Sequence, residues 1–416
     1  MDKDTTESTF SKVLNQLPIK VIKALISKFG SDKYVKKLFT LKLLWAFIFA
    51  QITQTESLAK LAGTIKSNLE LQEILRLESI SASQLSRRLK AISSSHWEKI
   101  FTQISKYLLQ KTGCHLNNLS NSDRIHIIDA STITLCLSEY KWADYRKTKA
   151  GVKIHQALIY HDGMTYPDKA VLTTAKISDK SQLDNLLITD SDTLNVFDRG
   201  YTDYSKWDEY CDTGIRFVTR LKSNAVIEII KQTVTEDIGV TESIVRLGNP
   251  KTKQMKNKLR LIQTKDTQGN AITIVTNDFK LSAQEIGAIY RYRWQIELFF
   301  KWIKQHLKVK KFYGKSQNAV YGQIWIALIT YCLLLLTKTN LSANSTLLEL
   351  QRLLETTLFK AYSFFLEALH RQSKRVSPCG RRQQTDYNHQ FDQLVEQVEI
   401  MGTAYLDIMD TELNYL

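Results

Sequence analysis

The feature that most constrains this chain is its hydrophobic period, which changes twice along 416 residues. Up to about residue 120, apolar residues recur at threes and fours in VIKALISKF, LFTLKLLWAFIFAQI and SLAKLAGTI, the spacing of one helix face. From RIHIIDAS onward the apolar runs are short and β-branched. GVKIHQALIY, KAVLTTA, TLNVFDRGY and IRFVTRLK read as strands, with SDKSQLDNLLI and DYSKWDEYCDTG as helices between them. VIEII, ESIVRL, KLRLIQT and AITIVTN are strand-like again, with GNP and QGN as turns. A Ser282 cap then opens what reads as one long helix, LSAQEIGAIYRYRWQIELFFKWIKQHL. The rest is mostly helical, apart from a polar break, SPCGRRQQTDYNHQ, at 377–390.

The expected class is α/β, with helices on the faces of a mixed sheet. The expected divisions are a helical N-terminal region (1–120), a first part of the core (121–222), a β-rich insertion (223–281), a second part of the core with the long helix (282–345) and a helical C-terminal region (346–416).

Lys and Arg outnumber Asp and Glu, 57 to 42, for a net charge of +15. That excess attracts polyanions, nucleic acid first among them. In SISASQLSRRLKAI (79–92), serines can cap a helix whose one face is Leu85, Leu89 and Ile92. Arg87 and Arg88 lie off that face, fit either for reading DNA or for a solvated surface. The five cysteines form no C-x-x-C pair, which argues against a disulfide scaffold or structural zinc and fits a reducing cytoplasm. MDKDTTEST carries no secretory signal. VYGQIWIALITYCLLLLT (320–337) approaches membrane-spanning length, but Gly322, Gln323, Thr330 and Tyr331 interrupt it. The reading is a buried core helix and no membrane.

Asp129 follows Ile127 and Ile128, and Asp198 follows Val196 and Phe197. Each is expected to close an apolar strand, where α/β folds bind ligands; one such Asp alone is also an ordinary turn cap. On a continuous helix, Tyr290, Arg293, Glu297, Lys301 and Lys304 share a stripe about 80° wide. Ile289, Ile296, Phe300, Ile303 and Leu307 fall on the adjacent stripe. The charged stripe is expected to be exposed, either as a surface ladder with Arg293 paired to Glu297 or as a functional edge. If Glu297 meets the two aspartates, three carboxylates around one point call for a hard divalent cation such as Mg²⁺ or Mn²⁺. Two such ions can activate a nucleophile and stabilise the leaving oxygen of a phosphodiester.

The spacing Y-x2-R-x3-E-x6-K at Tyr290, Arg293, Glu297 and Lys304 resembles the signature of bacterial insertion-sequence transposases of the IS-four type. IIDASTITL resembles their first-aspartate strand, KWADYRKTKAGVKIH the stretch after it, VFDRGYTDY the second-aspartate motif and FVTRLKSNA the following strand. The resemblance covers roughly 120–340, and the helical N-terminal region is similar to the small domain before the core in one branch. It implies a ribonuclease-H-like core interrupted by a β insertion, and a metal triad of Asp129, Asp198 and Glu297 holding two Mg²⁺ ions, or Mn²⁺. Tyr290, Arg293 and Lys304 would contact the DNA of the transposon end. Arg199, Arg220 and Lys222 are further candidates for the DNA path, or structural ion-pair partners. The implied reaction cuts double-stranded DNA at terminal inverted repeats through a hairpin and joins it to target DNA, within a homodimer in the bacterial cytoplasm. A catalytically silent DNA-binding descendant and a nuclease without strand transfer are the alternatives.

Relatives with the hairpin route stack a flipped base on an insertion-domain Trp. Here the only Trp residues between Asp198 and Glu297 are Trp207 and Trp294, outside the β-rich stretch, which leaves Phe279 as the substitute. His126 and His155 read as packing residues and Gly200 as a turn residue.

Overall fold

A computed structural model of the protein describes residues 7–113, 124–161, 163–233, 240–265, 271–309 and 311–371. The polar break at 377–390, Cys114 and Cys379 lie outside these residues.

Seven helices come first: α1 (Thr9–Leu14), α2 (Ile19–Phe29), α3 (Thr40–Ile52), α4 (Leu58–Ser67), α5 (Leu69–Leu75), α6 (Ala82–Ala91) and α7 (Ser94–Lys111). Ser81 caps α6 through a capping box with Gln84, and Leu85, Leu89 and Ile92 are buried.

The strands follow as β1 (Arg124–Leu135), β2 (Asp144–Arg146), β3 (Lys149–His161) and β4 (Met164–Thr174). Helix α8 (Leu183–Leu186), β5 (Thr193–Phe197), α9 (Tyr204–Thr213) and β6 (Arg216–Arg220) come next. Then come β7 (Ile227–Thr233), β8 (Thr241–Asn249), β9 (Lys253–Gln254), β10 (Leu259–Lys265) and β11 (Ala271–Thr276). The last helices are α10 (Ala283–Arg291), α11 (Trp294–His306), α12 (Gln317–Asn340), α13 (Leu347–Thr357) and α14 (Tyr362–His370).

The strands form one sheet in the order β2-β3-β1-β5-β6-β11-β10-β8-β7, with β4 on the other side of β3 and β9 on β8. Strands β1, β3 and β4 pair antiparallel, whereas β5 is parallel to β1 and β6 parallel to β5. The β-rich stretch therefore extends the same sheet, joined to it by the β11–β6 pairing.

Alternation along the strands gives the sheet two apolar faces. Ile128, Phe197 and Phe217 face α8 and α9, where Trp207 is fully buried. Leu194, Val196, Val218 and Ile274 face α10 on the other side. Ile127, Ile133 and Ile154 join a larger core with the N-terminal helices, α11 and α12.

Among the described residues α12 is the one helix long and apolar enough to cross a membrane, and its apolar window is wholly buried inside the protein. Its packing against α7, α3, α6 and α13 explains why apolar residues ring it on all sides. Gly322 sits where a Cβ would come within 3.1 Å of Trp97 Nε1, so a glycine lets α12 and α7 approach.

Candidate active site

Register brings the two aspartates together. In the parallel β1–β5 pair the last partners are Ile128 and Phe197, so Asp129 and Asp198 follow at the same level on adjacent strands. Ile128 and Phe197 point to the α9 side, and alternation turns the next residues to the α11 side. Their anchoring differs from the sequence expectation in one respect. Asp198 does end its strand, and its Oδ1 accepts the Arg199 amide at 2.6 Å as the cap of a tight turn. Asp129 lies in the middle of β1, which continues to Leu135 because β3 goes on pairing with it after β5 has stopped. The carboxylate of Asp129 thus sits at the exit of the parallel sheet but within a continuous strand.

The single long helix of the sequence reading is two helices, α10 and α11, separated at Tyr292–Arg293. Around the break Tyr292, Arg293, Gln295 and Ile296 donate to carbonyls three residues earlier, at 2.9–3.2 Å, a tightened turn. Packing supplies the reason. Ile286, Ile289 and Tyr290 bury against β5, β6, β10 and β11, whereas Ile296, Phe299, Phe300 and Ile303 bury in the larger core. No single straight axis serves both surfaces. Tyr292 fastens the corner by stacking on Tyr160 of β3, with ring centroids 4.2 Å apart.

The break also corrects the expected exposed stripe. Tyr290 is buried at 9% exposure within the apolar cluster, its ring 5.9 Å from the Arg293 guanidinium carbon. Arg293 and Glu297 remain an i,i+4 pair, with Arg293 Nη1 2.7 Å from Glu297 Oε1. The same Nη1 lies 3.4 Å from Asp129 Oδ2. Lys304 is half-buried in the last turn of α11, about 10 Å along the axis from Glu297.

Electrostatics ties the acids together. Burial, then the charges of Asp198 and Glu297, raise the Asp129 carboxyl to about 7, against the pull of Arg293 and the Ala130 amide. Burial opposes the charge on Arg293, but Glu297, Tyr290, Asp129 and Asp198 outweigh it and hold the guanidinium well above its ordinary range. Tyr201 completes the surroundings from the α9 side. It is 2% exposed, and burial together with Asp129, Asp179 and Asp198 raises its phenol well above the usual range, so it stays protonated.

Among the described residues no three His, Cys, Asp or Glu groups are closed around one point tightly enough to hold a metal. The Arg293 guanidinium stands between Asp129 and Glu297 instead, a cation already lodged among the carboxylates. Asp129, Asp198 and Glu297 are nonetheless oxygen donors of the kind a hard divalent ion takes.

The remaining candidates separate. Arg220 is half-buried on β6; since Phe197 pairs with Thr219, it stands level with Asp198 on the neighbouring strand. Arg199 and Lys222 are exposed just beyond the ends of β5 and β6. Arg87 is exposed on α6, far along the chain from the carboxylates. Arg88 is committed internally. It pairs with Asp32 at 2.6 Å and donates to the carbonyls of Ser31 and Leu38 and to Thr40, tying α6 to the start of α3. A residue so occupied is structural, which corrects its place among the DNA contacts.

Sequence reasoning missed Tyr201, and also Gln156, which is fully buried directly across from Asp129 on β3. The position of Tyr201 three residues after Asp198 in VFDRGY was the available signal; for Gln156 it was a polar residue in an apolar run.

His126 and His155 are fully buried, as their packing role requires. His126 contacts Asn195 and Asp168, and His155 contacts Thr173. Burial lowers the His155 imidazole to about 4, against the pull of Asp179. A lowered pKa means stability present above the unfolded value of about 6.5 and lost as pH falls toward about 4. The loss from this group is roughly 3 kcal/mol. Chemical denaturation at pH 7 and pH 4.5 checks it: His155→Gln should show a smaller drop than the parent, and equal drops would remove His155 as the source.

Comparisons with known proteins bear on the family of the chain. The protein named "Putative transposase y4zB" of Sinorhizobium fredii is 36% identical over 46% of this chain and 55% of that one. The "Probable transposase for insertion sequence element IS5377" of Geobacillus stearothermophilus is 33% identical over 50% of this chain and 55% of that one. The chain thus spans about half the length of these two relatives. The "Putative transposase for insertion sequence element IS4SA" of Synechocystis is 23% identical over 83% of this chain and 95% of that one. A solved piggyBac transposase synaptic complex with hairpin DNA aligns at 13% identity and a TM-score of 0.43, over 89% of this chain and 80% of that one. A domain of unknown function (DUF4372) matches residues 5–74. The transposase DDE domain matches residues 120–333, more than half of the chain and a range that includes Asp129, Asp198 and Glu297, and the chain belongs to that family of bacterial insertion-sequence transposases.

Proposed function

We propose that this chain binds the terminal inverted repeats of its insertion sequence, cuts the DNA there and joins the 3′ ends to target DNA. The observation that carries the reading is the meeting of Asp129 and Asp198, level on adjacent parallel strands, with Glu297 delivered over them by α11. The strand order β4-β3-β1-β5-β6, with two antiparallel and two parallel pairings, supports a ribonuclease-H-like core in which 223–281 is the β-rich insertion.

Membership of the DDE family implies a divalent metal. Asp129, Asp198 and Glu297 would hold two Mg²⁺ ions, or Mn²⁺, which when bound activate water or a 3′-hydroxyl and stabilise the leaving oxygen. The protein's own part is positional. Asp129 and Glu297 present oxygens from a strand and from a helix whose apolar face is packed into the core. Arg293 neutralises the acids, with Tyr290 beneath it, and would contact the phosphate beside the cut. Lys304, Arg220, Arg199, Lys222 and the exposed Arg87 continue the path of the double helix. Phe279, 54% exposed, takes the flipped base in a hairpin step, because Trp207 and Trp294 are buried. Two copies act together, one on each transposon end, in the bacterial cytoplasm.

The test is a plasmid carrying the element's two ends, incubated with the protein and Mg²⁺. Cleaved ends and joined products are expected, with binding alone in EDTA. Ends bound but uncut in both Mg²⁺ and Mn²⁺ would favour the silent DNA-binding descendant, and cutting without joining would favour the simple nuclease.

A further inference from the structure

Beyond Asp129 the sheet narrows to an arm. Strand β1 runs six residues further, to Leu135, paired only with β3, and β4 accompanies β3 on its other side. At about 3.3 Å per residue the tip lies roughly 20 Å from the carboxylates. An open groove of about 710 Å³ there is lined by Lys141, Arg146, Lys147 and Lys176, with Tyr145 and a single acid, Asp144. None of the four cations makes an ion pair among the described residues, unlike Lys153 further down β3, which pairs with Asp179 at 2.8 Å. The Arg146 guanidinium lies over the Tyr145 ring at 5.7 Å.

The tip is fastened. Trp142 Nε1 donates to the Lys315 carbonyl at 2.7 Å and its ring meets Tyr321 edge-on, while Lys315 pairs with Glu139 at 2.8 Å. Tyr145 packs over Gly151, where a Cβ would come within 3.2 Å of its ring. The segment that carries most of these charges is therefore held in place, and a fixed excess of positive charge suits a periodic polyanion better than a passing counterion.

We propose that this groove grips the phosphate backbone of the bound double helix about six base pairs from the cut. Base pairs rise about 3.4 Å each, so a 20 Å arm spans that length of duplex. The inference rests on the DNA-cutting reading, which supplies the partner; the arm supplies a second, sequence-independent hold on it.

The experiment measures duplex affinity against salt for the parent chain and for a variant carrying Arg146→Ala, Lys147→Ala and Lys176→Ala. All three residues are exposed, so the thermal midpoint should be preserved. Each phosphate contact contributes about 0.9 to the slope of log affinity against log salt, so the variant's slope should be shallower by about 2 to 3 and its affinity at 0.15 M salt roughly 10- to 100-fold weaker. Lengthening the duplex from about four to about ten base pairs on the arm's side should strengthen parent binding and leave the variant nearly indifferent, because only the longer duplex reaches the tip. Equal slopes, or an equal gain from lengthening, overturn the arm site while leaving the DNA-cutting reading standing. A variant that loses polyglutamate binding with an unchanged duplex slope assigns the groove to an acidic protein and also overturns it. A parent chain that binds no duplex fails the underlying reading, and the arm site with it.

Discussion

Glu297→Gln is expected to abolish DNA cleavage and joining while leaving end binding and the fold in place. The loss should be at least about 1,000-fold, because removing one charged oxygen donor dismantles a metal-dependent step rather than weakening it. Gln keeps the size of Glu and the packing of α11, whose anchors Ile296, Phe299, Phe300 and Ile303 lie on other faces of the helix. Arg293 loses its partner at 2.7 Å but keeps Asp129. Asp129 loses one of the charges that raise it, so its carboxyl should ionise more readily than at about 7. Stability should consequently change by no more than about 1–2 kcal/mol. The measurements are plasmid cleavage in Mg²⁺, end binding in EDTA and a denaturant curve without metal. Equal cleavage by the two proteins would remove Glu297 from the reaction, and a collapsed fold would make the helix break, not the acid, the sensitive element.

Trp207→Ala is expected to be the most destabilising of the simple truncations, by about 3–5 kcal/mol. The indole is fully buried between α9 and the sheet, 5.5 Å from the Phe217 ring and 6.5 Å from Phe197. Its deletion leaves a cavity directly under the residue that precedes Asp198. Urea unfolding would read the loss, and Trp207→Phe should recover part of it because much of the ring volume returns. A cost below about 1 kcal/mol for the alanine variant would mean that α9 settles into the space. Where the variant stays folded, cleavage should fall by more than the folded fraction does, since the end of β5 loses its support.

The parts of this site legible in the sequence were those fixed by short periods. Two apolar runs ending in Asp, the buried stripe of Ile296, Phe300, Ile303 and Leu307, and the Arg293–Glu297 spacing all follow from local geometry. The unread parts depend on partners distant in the chain. Nothing in YRYRW breaks a helix, for it holds neither Pro nor Gly; the break comes from two surfaces that demand different axes. Asp129 looks terminal because the small and polar residues Ala130, Ser131 and Thr132 follow it, yet β3 carries β1 six residues further. Arg88 looks like a solvated base until Asp32, 56 residues earlier, is found beside it. Tyr290 fell on a charged stripe only under the assumption of one continuous helix.

Helix α12 has a consequence in time. It is the centre around which α3, α6 and α7 are wrapped, and it ends at Asn340. A ribosome therefore makes the wrapping more than two hundred residues before it makes the centre. Until α12 emerges, Leu89, Trp97 and Phe101 lack the surface that Gly322 and Trp325 give them, and the sheet between them is already being laid down. Closing the N-terminal core around α12 is thus a late step, made across long sequence separations, and until then the chain carries exposed apolar surface that favours aggregation.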